Sequence, residues 1–107
     1  MFTHERKALE RIRERLRERL PERVISLYAF GSRVRGDHGE WSDLDVLVIV
    51  RNKDIEIEKE IIDIFSDEEF ETGIPFAPVI KDIKVFEMER EIKTPFYQDI
   101  IKEGVLI

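Results

Sequence analysis

Two aspartates, Asp43 and Asp45, open the most apolar stretch of the chain, DLDVLVIV at residues 43–50. This stretch predicts a β-strand, and side chains two residues apart on a strand point to the same side. The Cα atoms of the pair then lie about 6.5 Å apart, next to a loop. Mg²⁺ prefers hard oxygen ligands and completes its shell with substrate phosphates. The pair is therefore a candidate site for one or two Mg²⁺ ions; the alternative is that Asp43 caps a turn and Asp45 is exposed.

A glycine and a serine follow a second predicted strand, VISLYAF at residues 24–30. Gly31 lets backbone N–H groups approach an anion, because it has no Cβ in the way. The hydroxyl of Ser32 can donate to a phosphate oxygen, and a helical turn after it would present further N–H donors. The alternative is an ordinary turn that ends the strand. No Gly-Lys-Ser/Thr follows, which excludes a Walker A loop.

The other residues of the loop at 31–42 have less specific interpretations. Arg33 or Arg35 could stabilise a triphosphate or a pyrophosphate leaving group, and the alternative is a pair of exposed cations. We expect Trp41 to pack the loop onto the sheet, and His38 to be exposed to solvent.

The combination of these parts is more specific than any one of them. A Gly-Ser loop after one strand and a D-x-D that opens the next strand would place phosphates and metal ions in one cleft. Phosphoryl and nucleotidyl transfer need this arrangement, because metal ions neutralise charge and backbone donors hold the phosphates in line.

The pattern of apolar residues predicts the elements that must position this site. It indicates helices at residues 9–20, 54–65, 85–92 and 96–103, and strands at residues 24–30, 43–50 and 74–80. Residues 66–72 extend or end the second helix, and two prolines place the last strand at a sheet edge or make it irregular. The order predicts an α/β (α+β) fold, with a small mixed sheet of about three to four strands covered by helices. We expect residues 1–107 to form a single domain.

Two segments keep two interpretations each. The arginines of the first helix form a solvated face or a surface that docks a partner. The apolar residues GVLI at 104–107 either fold back or pair as a strand with another chain.

Composition excludes several classes of function. The chain has 107 residues, a net charge of −6 and no cysteine, which rules out disulfides, a cysteine nucleophile and a thiolate metal site. The longest uncharged apolar run, Val46–Val50, is far shorter than the roughly 20 residues of a membrane span. An acidic chain is also a poor non-specific binder of nucleic acid. With no apolar signal segment near the start, we expect a cytoplasmic protein that binds neither membrane nor nucleic acid directly.

The frame G-S-x-x-x-G, five residues, S-D-x-D at 31–45 resembles that of the polymerase-beta-like nucleotidyltransferases. It is most similar to the minimal nucleotidyltransferase (MNT) domains, which are about this long. The closing stretch TPFYQDIIKEGVLI is similar to the C-terminal helix of that family, followed by E-G-hydrophobic. The resemblance implies the polymerase-beta-like nucleotidyltransferase fold. It also implies an antitoxin paired with a HEPN-type toxin, which some members inactivate by transferring AMP from ATP to a toxin tyrosine.

The resemblance also implies roles for residues of this chain. Gly31 and Ser32 would hold the nucleotide phosphates, Asp43 and Asp45 would bind two Mg²⁺ ions, and we assign Ser42 to the nucleotide site as well. Active family members supply a third carboxylate from a later strand.

That third carboxylate is missing from the predicted strand at 74–80, which contains no acid. The nearest acids are Glu71 before the strand and Asp82 after it. Two functions therefore follow from the sequence: an antitoxin that transfers AMP with Mg²⁺ and ATP, or a catalytically weak or inactive module that neutralises its partner by stoichiometric binding. Nucleic-acid polymerisation or tRNA modification is a weaker third interpretation, because such enzymes carry extra basic domains.

Overall fold

The structure is a computed structural model that describes residues 1–36 and 42–107. Its helices are α1 (Thr3–Arg19), α2 (Ser32–Arg35), α3 (Ile55–Thr72), α4 (Ile83–Ile92) and α5 (Pro95–Glu103). Its strands are β1 (Val24–Phe30), β2 (Leu44–Val50), β3 (Phe76–Asp82) and β4 (Val105–Leu106).

The four strands form one mixed sheet in the order β3-β2-β1-β4. Strand β1 runs antiparallel to both β2 and β4, whereas β2 and β3 are parallel and are joined through α3. Parallel neighbours need a crossover connection, and the helix α3 supplies it. This mixed sheet with helices confirms the predicted fold class.

Strand β2 is central because both of its faces are covered. Leu44, Val46, Val48 and Val50 belong to a core with residues of α1 and α3. Leu47 and Ile49 point the other way, into a second core with residues of α4 and α5. Side chains alternate along a strand, so Asp45 lies on the α4/α5 side of the sheet.

Strand β3 lies at the edge of the sheet, as the prolines predicted, but two residues later than the predicted range 74–80. The backbone amide of Leu44 donates to the carbonyl of Pro75 at 2.8 Å, just before β3 begins. Proline lacks an N–H, and an edge strand needs donors on one side only, which accommodates Pro78.

The C-terminal segment folds back onto the same chain. Val105 and Leu106 pair with Ala29 and Tyr28 of β1, and the amide of Ile107 donates to the carbonyl of Leu27 at 3.0 Å. This resolves the two interpretations of residues 104–107.

Three of the six arginines of α1 are used within the fold. Arg11 pairs with Glu68 at 2.7 Å, Arg15 with Asp67 at 3.0 Å and Arg19 with Glu60 at 3.0 Å, and all three acids lie on α3. Glu68 is buried, whereas the pairs of Arg15 with Asp67 and of Arg19 with Glu60 are solvent-exposed and contribute about 0–1 kcal/mol each. The three pairs place basic side chains of α1 opposite acidic side chains of α3, where the two helices contact each other.

Within residues 1–36 and 42–107, no helix has the length and apolar character that crossing a membrane requires.

Candidate functional site

The two aspartates lie where β2 begins. Asp43 is exposed and immediately precedes the strand, and Asp45 is half-buried at its second position. Burial is the main cause that raises the pKa of Asp45 above its usual range; the negative charge of Asp43 raises this pKa further, and the Arg35 guanidinium lowers it. The two carboxylates are thus close enough to repel each other, which a bound cation would relieve.

Gly31 brings the loop after β1 against Asp45. Antiparallel pairing places Phe30, the last residue of β1, beside Asp45, so the next residue must pass its carboxylate. A Cβ at Gly31 would lie 2.2 Å from Oδ2 of Asp45, which is far inside contact distance. Gly31 also has φ 86° and ψ −166°, a conformation essentially restricted to glycine. Only glycine therefore allows this approach.

Ser32 begins the short helical turn α2 directly after Gly31. The amides of Val34 and Arg35 donate to the carbonyl of Gly31 at 3.2 and 3.1 Å, and the amide of Gly36 donates to that of Ser32 at 3.0 Å. The first N–H groups of a helical turn are not used inside it. The amides of Ser32 and Arg33 therefore start the turn after Gly31, and anion binding by them stays a prediction.

The two loop arginines have different surroundings. Nη1 of Arg33 donates to the carbonyl of Ser42 at 2.8 Å, and Nη2 pairs with the buried carboxylate of Glu5. Nη1 of Arg35 pairs with Glu103 on α5 at 3.0 Å, and its charge also acts on Asp45. The Arg33 side chain is thus held within the fold, and the charge of Arg35 lies near Asp45.

Ser42, the residue before Asp43, is half-buried, and its carbonyl accepts the hydrogen bond from Arg33. The expectations for His38 and Trp41 lie outside the described residues.

Glu5 is the residue of this region that the sequence reasoning missed. It lies four residues before Leu9, on the apolar stripe that continues through Ile12 and Leu16. An acid on the buried face of a helix is a signal that it has a partner, because an isolated buried charge is very costly.

In the part of the chain that the structure describes, β3 offers no third carboxylate beside this pair. Ala77 of β3 is in register with Asp45 of β2, and parallel partners in register point to the same side. Among residues 1–36 and 42–107, no group of three or more histidine, cysteine or acidic residues is placed to hold a metal ion.

Asp82, one of the two nearest acids, does not lie beside Asp45. Asp82 is in register with Val50, five residues and about 16 Å along the strand from Asp45. Its carboxylate accepts from the amide of Lys84, as the N-cap of α4, and from the amide of Lys53, each at 2.9 Å. Glu71 is exposed in the last turn of α3, a helix that covers the opposite face of the sheet.

Residues 9–107 match the family of proteins described as "Nucleotidyltransferase domain". The chain belongs to this family. The resemblance inferred from the frame at residues 31–45 is thereby confirmed.

Relatives of this nucleotidyltransferase domain occur in Methanocaldococcus jannaschii. "Putative protein adenylyltransferase MJ0604" is 25% identical over 101 residues, which are 94% of this chain and 95% of that protein. "Putative protein adenylyltransferase MJ0141" is 36% identical over 77 residues, which are 71% of each chain.

Solved structures share its fold. A crystal structure of a toxin-antitoxin with AMP-PNP has a TM-score of 0.58 and 19% identity, and the match covers 94% of this chain and 69% of that chain. A mutant of the toxin-antitoxin MntA-HpeT has a TM-score of 0.58 and 18% identity, covering 91% of this chain and 69% of that chain.

The contact between Gly31 and Asp45 can be measured in the nucleotidyltransferase domain by a double-mutant cycle. Gly31→Ala is expected to lower the free energy of unfolding by about 1–3 kcal/mol for its backbone conformation, and further because the new Cβ meets Oδ2 of Asp45. In an Asp45→Ala background the second part of the loss should disappear. Chemical denaturation of the four proteins measures both parts.

Gly36→Ala is the matched control. Gly36 also has a positive φ, 82°, but nothing lies within 4 Å of the position its Cβ would take. Its cost should be about 1 kcal/mol and independent of Asp45. If Gly31→Ala lowers the free energy of unfolding equally in the wild-type and Asp45→Ala backgrounds, the contact between Gly31 and Asp45 is contradicted.

Asp82→Ala tests the capping role of that residue. The hydrogen bonds from Lys53 and Lys84 hold the pKa of Asp82 below its usual range. A carboxylate with a lowered pKa stabilises the fold above the usual Asp pKa, and this contribution is lost as the pH falls through the lowered value. Asp82→Ala should therefore have a lower Tm than wild type at pH 7, by a margin that shrinks below about pH 4. Asp82→Asn keeps a cap acceptor, so its Tm at pH 7 should lie between those of wild type and Asp82→Ala. A difference in Tm between wild type and Asp82→Ala that does not change with pH would count against the capping role of the Asp82 carboxylate.

Proposed function

We propose that this chain is a Mg²⁺- and ATP-dependent nucleotidyltransferase that transfers AMP to a hydroxyl of a HEPN-type toxin and so acts as its antitoxin. The observation that carries the proposal is the contact of Asp45 with Gly31, next to the helical turn at Ser32. It places a carboxylate pair beside backbone donors, as transfer from a nucleoside triphosphate requires. The names of the two relatives and of the toxin-antitoxin structures support the acceptor class.

The two aspartates fit Mg²⁺ by their chemistry. They offer hard oxygen ligands, and burial together with their mutual repulsion raises the pKa of Asp45, which a cation would counter. We assign Asp43 and Asp45 as ligands of Mg²⁺, which supplies neutralisation of phosphate charge when bound.

The remaining roles belong to groups of the loop. The amides at Ser32 and Arg33 and the Ser32 hydroxyl hold the triphosphate, with Gly31 allowing its close approach. Arg35, whose charge reaches this region, stabilises the pyrophosphate that leaves as the acceptor oxygen bonds to the α-phosphorus. The proton of the acceptor hydroxyl is released in the same reaction.

A second candidate function is stoichiometric neutralisation of the partner without transfer. The specific observation in its favour is Ala77, which occupies the β3 position beside Asp45 where a third carboxylate would complete the metal site. Binding to a toxin would then be the whole activity, and the carboxylates would be dispensable for it.

AMP transfer is tested with labelled ATP, Mg²⁺ and a HEPN-type toxin as the acceptor protein. Label should appear on the toxin, and Asp45→Asn should lower the rate by at least about 100-fold, because even outer partners of metal ligands contribute 10–100-fold. Asp63→Asn, on the exposed side of α3, is the matched control and should retain the rate. No transfer by wild type, or equal rates for wild type and Asp45→Asn, would refute transfer. Protection of cells by an Asp43→Ala/Asp45→Ala double variant would establish the second candidate.

Ala77→Asp tests the missing carboxylate by gain of function. The new side chain would point to the same side as Asp45, one strand away, so the Mg²⁺ concentration for half-maximal transfer should fall several-fold. Ala77→Asn has nearly the same size without the charge and should show no such fall. Equal behaviour of the two variants would mean that this position does not reach the metal site.

A further inference from the structure

A buried ion pair lies directly beneath the proposed site. Glu5 on α1 is fully buried, and its Oε1 accepts a hydrogen bond from the amide of Phe2 at 2.8 Å. Its Oε2 pairs with Nη2 of Arg33, whose side chain is 13% exposed. Both carboxylate oxygens of Glu5 thus have partners. Because an unpaired charge would be costly to bury, the ion pair holds the Arg33 guanidinium against α1.

The same guanidinium reaches the far end of the loop. Nη1 of Arg33 donates to the carbonyl of Ser42 at 2.8 Å, and Ser42 is the residue before Asp43. Arg33 itself lies at the other end of the loop, in α2, two residues after Gly31. One planar group therefore joins α1, α2 and the backbone that enters β2, and the rigid fork of arginine suits this use.

We propose that Arg33, anchored by Glu5, is a positioning residue that holds the backbone at Ser42 so that Asp43 stays close to Asp45 for a shared divalent cation. This inference rests on the proposed function of the site. The side chain of Arg33 acts through the Ser42 carbonyl and not on the nucleotide, in contrast to the side chain of Arg35.

Lysine at position 33 separates positioning from stability. Its single ammonium group can keep the ion pair with Glu5, but it lacks the fork that reaches Glu5 and the Ser42 carbonyl together. Arg33→Lys should therefore retain most of the thermal stability while Asp43 loses its fixed position.

The test is a Mg²⁺ titration of the full chain followed by NMR at the amide signals of Asp43 and Asp45, without nucleotide. Arg33→Lys should need about tenfold more Mg²⁺ for half-saturation than wild type, the lower end of what outer partners of metal sites contribute. Arg15→Lys is the matched control, because Arg15 pairs with Asp67 on α3 away from the site, and it should titrate as wild type. If Arg33→Lys lowers the Tm but leaves the Mg²⁺ titration unchanged, its role is structural only and the proposal is overturned.

A second variant guards against a failure of Arg33→Lys to fold. Glu5→Gln can still accept from the amide of Phe2 but removes the charge that anchors Arg33, and it should shift the Mg²⁺ titration in the same direction. An unshifted titration for a folded Glu5→Gln would also overturn the proposal. Suppose that wild type binds Mg²⁺ about tenfold more tightly than Arg33→Lys and yet transfers no AMP. That result would support the positioning role of Arg33 and refute the proposed transfer. Wild type that binds no Mg²⁺ would overturn both.

Discussion

The close approach of the Asp45 carboxylate to the backbone of Gly31 is the constraint on which the site depends. It follows from the antiparallel pairing of β1 and β2, which brings Phe30 beside Asp45 and forces the chain to turn at the next residue. A side chain at that residue would displace the carboxylate. The turn proposed to bind phosphate and the proposed metal ligand Asp45 are therefore one structural unit, and neither can be moved without the other.

Asp45 differs from the two buried acids that pair with arginines. Glu5 is buried and pairs with Arg33, and Glu68 on α3 is buried and pairs with the half-exposed Arg11, so these two acids contribute to the packing of α1. Asp45 instead has a neighbouring acid, and its pKa is raised. Burial and the neighbouring carboxylate disfavour the ionised form of Asp45 in the folded protein, and perturbed pKa values cluster at functional sites.

The residue of β3 that lies beside Asp45 in this nucleotidyltransferase domain is Ala77. The register of β2 and β3 leaves the side next to Asp45 without an acid, although the strand itself is in place. Among the described residues, the strands and the turn proposed to bind phosphate are thus in place, while β3 adds no acid beside Asp43 and Asp45. This combination explains why transfer and stoichiometric binding both remain compatible with the same architecture.

The sequence by itself determined the elements and the residues that open the site. The bounds of β1 follow from an apolar run that stops at Gly31, and α5 begins at the Thr94-Pro95 pair because a cap and a proline at the first helical position are local signals. The alternation of a strand sufficed to place Asp43 and Asp45 together. Such features depend on residues a few positions apart, where backbone geometry alone sets the outcome.

Only the tertiary structure decided the partners of these residues. The pairing of Arg33 with Glu5 spans 28 positions, and the register that puts Ala77 beside Asp45 and Asp82 at the far end of β3 spans more than 30. These contacts are set by how α1 packs on the sheet and by where the crossover through α3 returns. No local period or turn residue encodes that register, since it results from the packing of both cores at once.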